Sequence, residues 1–300
     1  MSYLLHLLIY LDIYIIVAIS LNLVVGYCGL LTLAHSGYFA VGSYGYALVA
    51  LRLGWGFIPA VLFGMVAAAV LSLLVSLATW RLKGDFFVMA SLAVQALILS
   101  AANNWFDSSA PVGTWRNLTN GPFGISAIPK PAIDGIQFDT IGGIATVSTV
   151  LAGACVLVTW NLLMSPWGRV LQAVRDDELA ARGLGKNSRL LKVEVFAVAS
   201  GMVAVAGAIY ASYVGYIDPS IASTDFSILM LCMVVVGGAA NFRGPLVGAA
   251  VLLAIPELLR FVKIPDAMAA QLRLMAFGLL LVLLMHFRPQ GLAGRYRMDR

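Results

Sequence analysis

The chain has 300 residues, of which 61% are hydrophobic and only 11% are charged, and its mean hydropathy is +0.93. Soluble domains carry about 25% charged residues, so this composition excludes a soluble globular protein and indicates an integral membrane protein. The formal net charge of +5 does not indicate nucleic-acid binding, because the basic residues collect in short loops between apolar stretches, as the positive-inside rule expects.

Apolar stretches long enough to cross a bilayer recur from one end of the chain to the other. Open strands do not survive in hydrocarbon and no period-two pattern suggests a barrel, so we predict an all-α polytopic protein forming a single domain over residues 1–300. About nine segments are predicted, at roughly residues 3–25, 29–50, 57–79, 86–104, 141–163, 193–214, 226–240, 245–261 and 268–287.

Two of these segments contain glycines and polar residues that interrupt the apolar pattern. The predicted helix breaks are Gly37 and Gly42 in the first half and Gly237, Gly238, Gly244 and Pro245 in the second. Matching interruptions in two halves of a chain favour an internal pseudo-repeat with discontinuous or re-entrant helices around a transport site. Close helix packing through small residues is the alternative.

Polar side chains inside the predicted spans are candidates for the lining of a solute pathway. They are Asn22, His35, Ser36, Gln95, Asn103 and Asn104. A hydrogen bond between packed helices is the alternative for each of them. Asp12, in the first span, is the lone carboxylate that we place at mid-membrane depth, and an ionisable residue there is a functional candidate by default. Interfacial exposure is the alternative, because Asp12 lies close to one end of the span.

The segments between spans differ in composition. Residues 105–140 are rich in Asn, Pro, Gly and Ser and are predicted to form an extracytoplasmic loop. If Arg81 and Lys83 face the cytoplasm, the charged segment 165–192, Arg243 and the C-terminus lie on that same side.

Segment 165–192 is too charged to lie in the membrane, since each central charge costs about 2.5 to 3.5 kcal/mol. Ser165 and Pro166 form a helix start, and Gly183 and Gly185 form a stop, so we predict one helix of about 17 residues. Its apolar stripe and mixed charges favour docking into a groove on a soluble protein. Lying on anionic lipid is the alternative, but it would favour a purely basic polar face.

No catalytic motif is evident. The stretch 183–187 contains Gly-Lys but lacks the glycine and hydroxyl that a phosphate-binding loop needs, at Ala180 and Asn187. We therefore expect no ATP hydrolysis, cofactor or metal site in this chain.

Four stretches, in series, resemble the membrane permeases of branched-chain amino-acid, or Liv-type, ABC importers, specifically the longer permease of that pair. They are residues 21–44, 81–98, 120–125, and the run from 168–185 through 234–249 to 288–295. The resemblance implies an ABC importer permease fold in the bacterial inner membrane, with a cytoplasmic C-terminus and membrane lipid around it. Implied partners are a second permease, two ATPase subunits that bind ATP and Mg, and a periplasmic solute-binding protein, with no nucleic acid.

The resemblance also identifies the coupling loop that seats in the ATPase. Its implied residues are Gly168, Arg169, Ala173, Arg175, Asp176, Asp177, Glu178, Ala180, Ala181 and Gly185.

Two departures from the family pattern bear on the cargo. Ala34-His35-Ser36 replaces Gly-His-Ala, and residues 93–96 lack the acidic residue of a Gly-Phe-Gly-Glu run. The expected cargo is a small polar solute such as a branched-chain or other neutral amino acid. Urea, amides or small carboxylates are the alternative. A stand-alone secondary transporter or channel is a more distant alternative for the function, because only Asp12 and His35 are available to bind a driving ion.

Overall fold

The computed structural model describes residues 2–79, 82, 84–133, 136–260, 266–288 and 290–293. The helices are α1 Ser2–Asn22, extended by a π-helical turn Leu23–Tyr27, α2 His35–Arg52, α3 Phe57–Thr79, α4 Asp85–Asn104, α5 Ile141–Met164, α6 Pro166–Asp176, α7 Glu178–Gly183, α8 Ser188–Val214, α9 Thr224–Gly237, α10 Gly244–Arg260 and α11 Asp266–Phe287. The strands are β1 Ile125–Ser126, β2 Ala132–Ile133, β3 Ile136–Gln137 and β4 Tyr216–Ile217, and short 3-10 turns cover Gly121–Phe123 and Pro219–Ala222.

The all-α polytopic architecture is confirmed. Each predicted apolar segment corresponds to one helix, namely α1 to α5 and α8 to α11, although α2 begins only at His35. Strand β1 pairs with β4 and β2 with β3 over two residues each. In the described part of the chain, five helices are long and apolar enough to cross a membrane: α1 with its π-helical turn, α3, α4, α5 and α8. Helices α9 and α10 are apolar but shorter.

The centre of the bundle is α8, which packs on α1, α2 and α3. A Cβ atom added at Gly42 of α2 would lie 2.4 Å from the Cα of Ala204 in α8. A Cβ at Gly207 of α8 would lie 2.2 Å from the carbonyl oxygen of Phe39. Only glycine allows these two backbones to approach so closely, as is common between membrane helices.

The first predicted helix break is in a different place from the one expected. Gly37 and Gly42 lie inside α2, and the interruption occupies residues 28–34, between the π-helical turn and α2. Gly37 packs against Ile98, whose Cδ1 would be 2.7 Å from an added Cβ, so close packing explains these glycines. In the second half, Gly237 ends α9 and Gly244 and Pro245 begin α10, with Gly238 between them.

Two interrupted units run in opposite directions through the bundle. One is α1, residues 28–34 and α2, and the other is α8, residues 215–223 and α9. The start of α1 meets the end of α8, where the rings of Tyr10 and Tyr213 are 5.7 Å apart. The first turns of α2 and α9 meet each other inside the bundle, as Ser36 and Ser227 show. This arrangement is an inverted pseudo-repeat.

The two ends of the bundle carry different segments, which we call the α6–α7 end and the loop end. Residues 105–133 and 136–140 lie at the loop end, where Ile125 pairs with Ile217 after α8. The backbone amides of Leu292 and Ala293 donate to the last turn of α9, which places residues 291–293 at the α6–α7 end. Five of the basic residues on which the predicted sidedness depends lie outside the described residues, namely Arg81, Lys83, Arg295, Arg297 and Arg300.

Candidate functional site

A cluster of serines joins the first turns of α2 and α9. The hydroxyl of Ser36 donates to the carbonyl oxygen of Ser223 at 3.0 Å. The hydroxyl of Ser227 lies 2.6 Å from that of Ser36 and 2.5 Å from the carbonyl oxygen of Leu33. The irregular segments that precede both helices are therefore tied together, and we call this cluster the serine joint.

The position of Gln95 shows how deep in the membrane the serine joint lies. It is fully buried about halfway along α4, its amide donates to the carbonyl oxygen of Ala222, and its side-chain oxygen accepts from Thr224 Oγ1 at 3.0 Å. Because α4 is long enough to cross a membrane, residues 222–224 lie near the middle of the apolar layer. Segment 215–223 is thus re-entrant, and irregular backbone at such a depth is tolerated where it is buried in protein or borders a cavity.

A cavity of about 430 Å³ lies beside the serine joint. Its walls come from α1, α2, α8, α9 and α11 and from the re-entrant segment, which contributes Ser220 and Ser223. Half of the lining residues are aromatic: Tyr10, Tyr14, Phe39, Tyr210, Phe226 and Phe277. Asp225, in the first turn of α9, is the one carboxylate among the described residues that line the cavity. The cavity therefore combines an apolar wall with hydroxyls and a negative charge.

The six side chains predicted to line a pathway are all hydrogen-bonded inside the protein, and none lines this cavity. Ser36 and Gln95 do not line the cavity, but they hydrogen-bond the segment that does: Ser36 bonds Ser223, and Gln95 bonds Ala222 and Thr224. His35 Nε2 is 2.8 Å from Ser20 Oγ, which ties α2 to α1. Asn22 bonds the backbone of Ala240 and Asn241 at the α6–α7 end. Asn103 and Asn104 donate to carbonyl groups of their own helix, α4.

The two carboxylates Asp12 and Asp225 have different surroundings. Asp12 is buried and accepts hydrogen bonds from Ser148 and Thr149, both at 2.8 Å, so it joins α1 to α5. Asp225 is exposed to the cavity. Sequence reasoning missed Asp225, because residues 215–225 resemble an ordinary loop between two apolar segments. The available signal was the Ser-Thr-Asp run, typical of a helix start, directly before the short apolar segment 226–240.

At the other candidate site, the helix predicted for the charged segment is split into α6 and α7. Asp177 lies between them with extended backbone, φ −151° and ψ 102°. Its carboxylate accepts hydrogen bonds from the backbone amides of Leu179 and Ala180 at 2.9 and 3.0 Å, which caps α7. Gly185, at φ +77°, ends the pair of helices in a conformation that favours glycine.

Several of the implied coupling residues face the bundle. Arg175 donates to the carbonyl oxygen of Gly26 at 2.9 Å and pairs with Asp176, and its side chain is only 11% exposed. A Cβ at Gly168 would lie 2.4 Å from the carbonyl oxygen of Leu163, and Ala181 is buried. These residues fix the segment against α1 and α5.

Glu178 joins α7 to α8. Its carboxylate bonds Arg182 at 2.5 Å, and Ser188 and Lys192 at 2.9 Å each. Partial burial raises the pKa of Glu178, but the hydrogen bonds from Lys192 and Ser188 and the nearby positive charges outweigh it, so the pKa lies below its usual value. Glu178 is therefore a structural residue of this corner.

The remaining surface of α6 and α7 is open to solvent. Among the implied coupling residues, Arg169, Ala173, Asp176, Asp177, Ala180 and Gly185 are exposed. Two leucines stand beside them, Leu179 at 75% exposed and Leu184 at 81%. The exposed surface is a mixture of apolar and charged groups, which suits contact with another protein more than burial in lipid.

Comparison with known proteins gives one family. Residues 3–285 match the sequence profile described as branched-chain amino acid transport system / permease component. The chain is 30% identical over 304 residues to the high-affinity branched-chain amino acid transport system permease protein LivM of Escherichia coli K12, covering 93% of this chain and 67% of that protein. It is 25% identical to the probable LivM of Methanocaldococcus jannaschii, covering 95% and 91%.

A more distant relative covers about half of the chain. The autoinducer 2 import system permease protein LsrC of Salmonella typhi is 29% identical over 150 residues, which are 48% of this chain and 41% of that protein. No solved structure matches the chain closely enough to count as a relative. The profile match over nearly the whole length, the agreement with LivM and the helical bundle with interrupted segments lead to one conclusion: the chain belongs to the permease family of Liv-type ABC importers, the multi-pass membrane component of such systems.

Proposed function

We propose that this chain is a transmembrane subunit of an ATP-driven importer of branched-chain amino acids. The observation that carries the proposal is the 30% identity to LivM over 93% of the chain. The cavity beside the serine joint supports it, because aromatic walls suit a branched aliphatic side chain and polar groups suit the rest of an amino acid.

The subunit works with other components in this proposal. A second permease completes the pathway, two ATPase subunits bind ATP and Mg and perform the hydrolysis, and a periplasmic protein delivers the solute. The assembly lies in the bacterial inner membrane. The α6–α7 end then faces the cytoplasm and the loop end faces outwards, and the position of residues 291–293 at the α6–α7 end supports a cytoplasmic C-terminus.

The exposed surface of α6 and α7 is the proposed contact with the ATPase. The exposed leucines Leu179 and Leu184 would enter an apolar cleft, flanked by Arg169 and Asp176. This assignment divides the residues implied by the family resemblance into two sets. Exposed ones meet the ATPase, while Gly168, Arg175, Glu178 and Ala181 hold the two helices in place.

A continuous chain of contacts leads from this surface to the cavity. Arg175 bonds the carbonyl group of Gly26 in the π-helical turn, residues 28–34 follow directly, and Leu33 and Ser36 belong to the serine joint. Displacement of the docked helices would therefore reach the re-entrant segment as a rigid-body movement of packed elements.

Transport by a reconstituted complex tests the function. The chain is produced with the second permease and the ATPase subunits, placed in lipid vesicles, and supplied with the binding protein and radiolabelled leucine. We expect leucine to accumulate only when ATP and Mg²⁺ are present on the ATPase side, and not when a non-hydrolysable ATP analogue replaces ATP.

Two results would contradict the proposal. Uptake by the chain alone, without nucleotide or companion subunits, would indicate a stand-alone carrier or channel. ATP-driven uptake of urea, an amide or a small carboxylate without uptake of leucine would keep the architecture and change the cargo.

A further inference from the structure

Asp225 is unusual for a residue in the middle of this bundle. It follows Thr224, whose hydroxyl bonds Gln95 halfway along α4, so its carboxylate lies near the centre of the apolar layer. The ion pairs described for the chain are Arg175–Asp176, Arg182–Glu178 and Lys192–Glu178, and none of them involves Asp225. A charge at this depth is costly and calls for a partner.

The surroundings of Asp225 indicate the chemistry of that partner. The carboxylate borders a cavity of about 430 Å³, within the range of about 300 to 1,000 Å³ that small-molecule sites occupy. Tyrosine and phenylalanine residues make up half of the lining, and Ile13, Ile221 and Leu229 add to its apolar part. Aromatic faces attract ammonium groups and also cover aliphatic side chains. The hydroxyl of Ser223 is available as a donor to a second polar group, whereas the hydroxyl of Ser220 donates to Asp218 Oδ1 at 2.8 Å and offers its oxygen as an acceptor.

We propose that this cavity is an intramembrane binding site for a zwitterionic branched-chain amino acid, whose ammonium group pairs with Asp225 and whose side chain lies against the aromatic wall. The inference rests on the proposed function and adds to it a specific site within this subunit. The proposed site also distinguishes between the candidate cargoes, because they differ in charge. A small carboxylate would be repelled by Asp225, and urea or a lipid tail would leave the charge of Asp225 unpaired.

The first experiment measures leucine uptake by the reconstituted complex with Asp225→Asn. The amide keeps the size of the side chain and removes its charge. We expect uptake to fall at least about tenfold, because one partner of a charge pair has been removed, while the ATPase subunits still co-purify. Asp139→Asn is the matched control, since Asp139 is an exposed carboxylate at the loop end, and it should stay within about twofold of the wild type. Wild-type uptake by Asp225→Asn would overturn the inference.

A second experiment needs no transport. Ser220→Cys is introduced into a chain whose Cys28, Cys155 and Cys232 are replaced by alanine, and its alkylation by a maleimide is followed in detergent. We expect leucine to slow the reaction, 4-methylpentanoate, which lacks the ammonium group, to have no effect, and Asp225→Asn to remove the protection by leucine. Equal protection by both compounds, or by neither, would overturn the inference.

The two experiments distinguish the failure of the site from the failure of the function. Absence of ATP-driven leucine uptake by the wild type, together with protection of Ser220→Cys by leucine, would refute the proposed function and support the site. Normal uptake by both wild type and Asp225→Asn would support the function and refute the site.

Discussion

Individual polar residues inside the bundle have two kinds of environment. Asp12, Asn22 and His35 have hydrogen-bond partners on other elements and hold the bundle together. Asp225 has an open face in a cavity. The sequence shows which polar residues lie in apolar segments, but their partners are far away along the chain. The bond between Gln95 and Thr224 joins residues that no local pattern connects.

Asp12→Asn tests whether the buried carboxylate of Asp12 is structural. The amide oxygen can still accept from Ser148 and Thr149, so we expect leucine uptake within about twofold of the wild type. Asp12→Leu removes the acceptor and should lower the free energy of unfolding by about 1 to 3 kcal/mol. Thermal unfolding in detergent and uptake in vesicles measure the two effects. A loss of uptake in Asp12→Asn without a change in stability would assign Asp12 to transport instead.

At the scale of single helices, α2 and α8 depend on glycine at their crossing. Gly42→Ala places a methyl group 2.4 Å from the backbone of Ala204, so the helices must separate. We expect the free energy of unfolding to fall by about 1 to 3 kcal/mol, as overpacking does. Thermal unfolding of the isolated chain in detergent provides the measurement.

Gly153→Ala in α5 is the control for this prediction. No atom lies within 4 Å of a Cβ added at Gly153, and alanine is the better helix former by about 1 kcal/mol. Its stability should therefore be unchanged or slightly higher. Equal effects of the two substitutions would mean that helix propensity, and not the close crossing of α2 and α8, decides the stability.

Helix positions were predictable from the sequence, but helix interruptions were less so. The apolar runs fix where α3, α4 and α5 lie, because long periodic segments need no tertiary information. The split between α6 and α7 was not foreseen, since Asp177 is followed by good helix formers and a continuous helix satisfies local propensity. Likewise, Gly37 and Gly42 resemble helix breakers in the sequence. Only the approach of Ile98 and Ala204 shows that they serve packing.

At the scale of the whole molecule, the sequence predicts a polytopic permease with a pseudo-repeat, and the structure adds how its parts connect. The N-termini of α2 and α9 meet at the serine joint. The same segments are linked through residues 28–34 and Gly26 to Arg175 in α6. Contacts of this kind depend on how distant segments pack, so a single sequence could not reveal them. They connect the proposed docking surface to the cavity through a continuous series of contacts.

The most direct measurement of this route compares ATP hydrolysis with leucine uptake in vesicles that contain Arg175→Met. The substitution removes the bond to Gly26 and the pairing with Asp176, but keeps every exposed side chain that α6 and α7 offer to the ATPase, and Arg116→Met at the loop end is the control. We expect the ATPase subunits to co-purify and hydrolyse ATP as in the wild type, while leucine uptake per ATP falls at least about tenfold. An unchanged ratio of leucine to ATP would contradict the account.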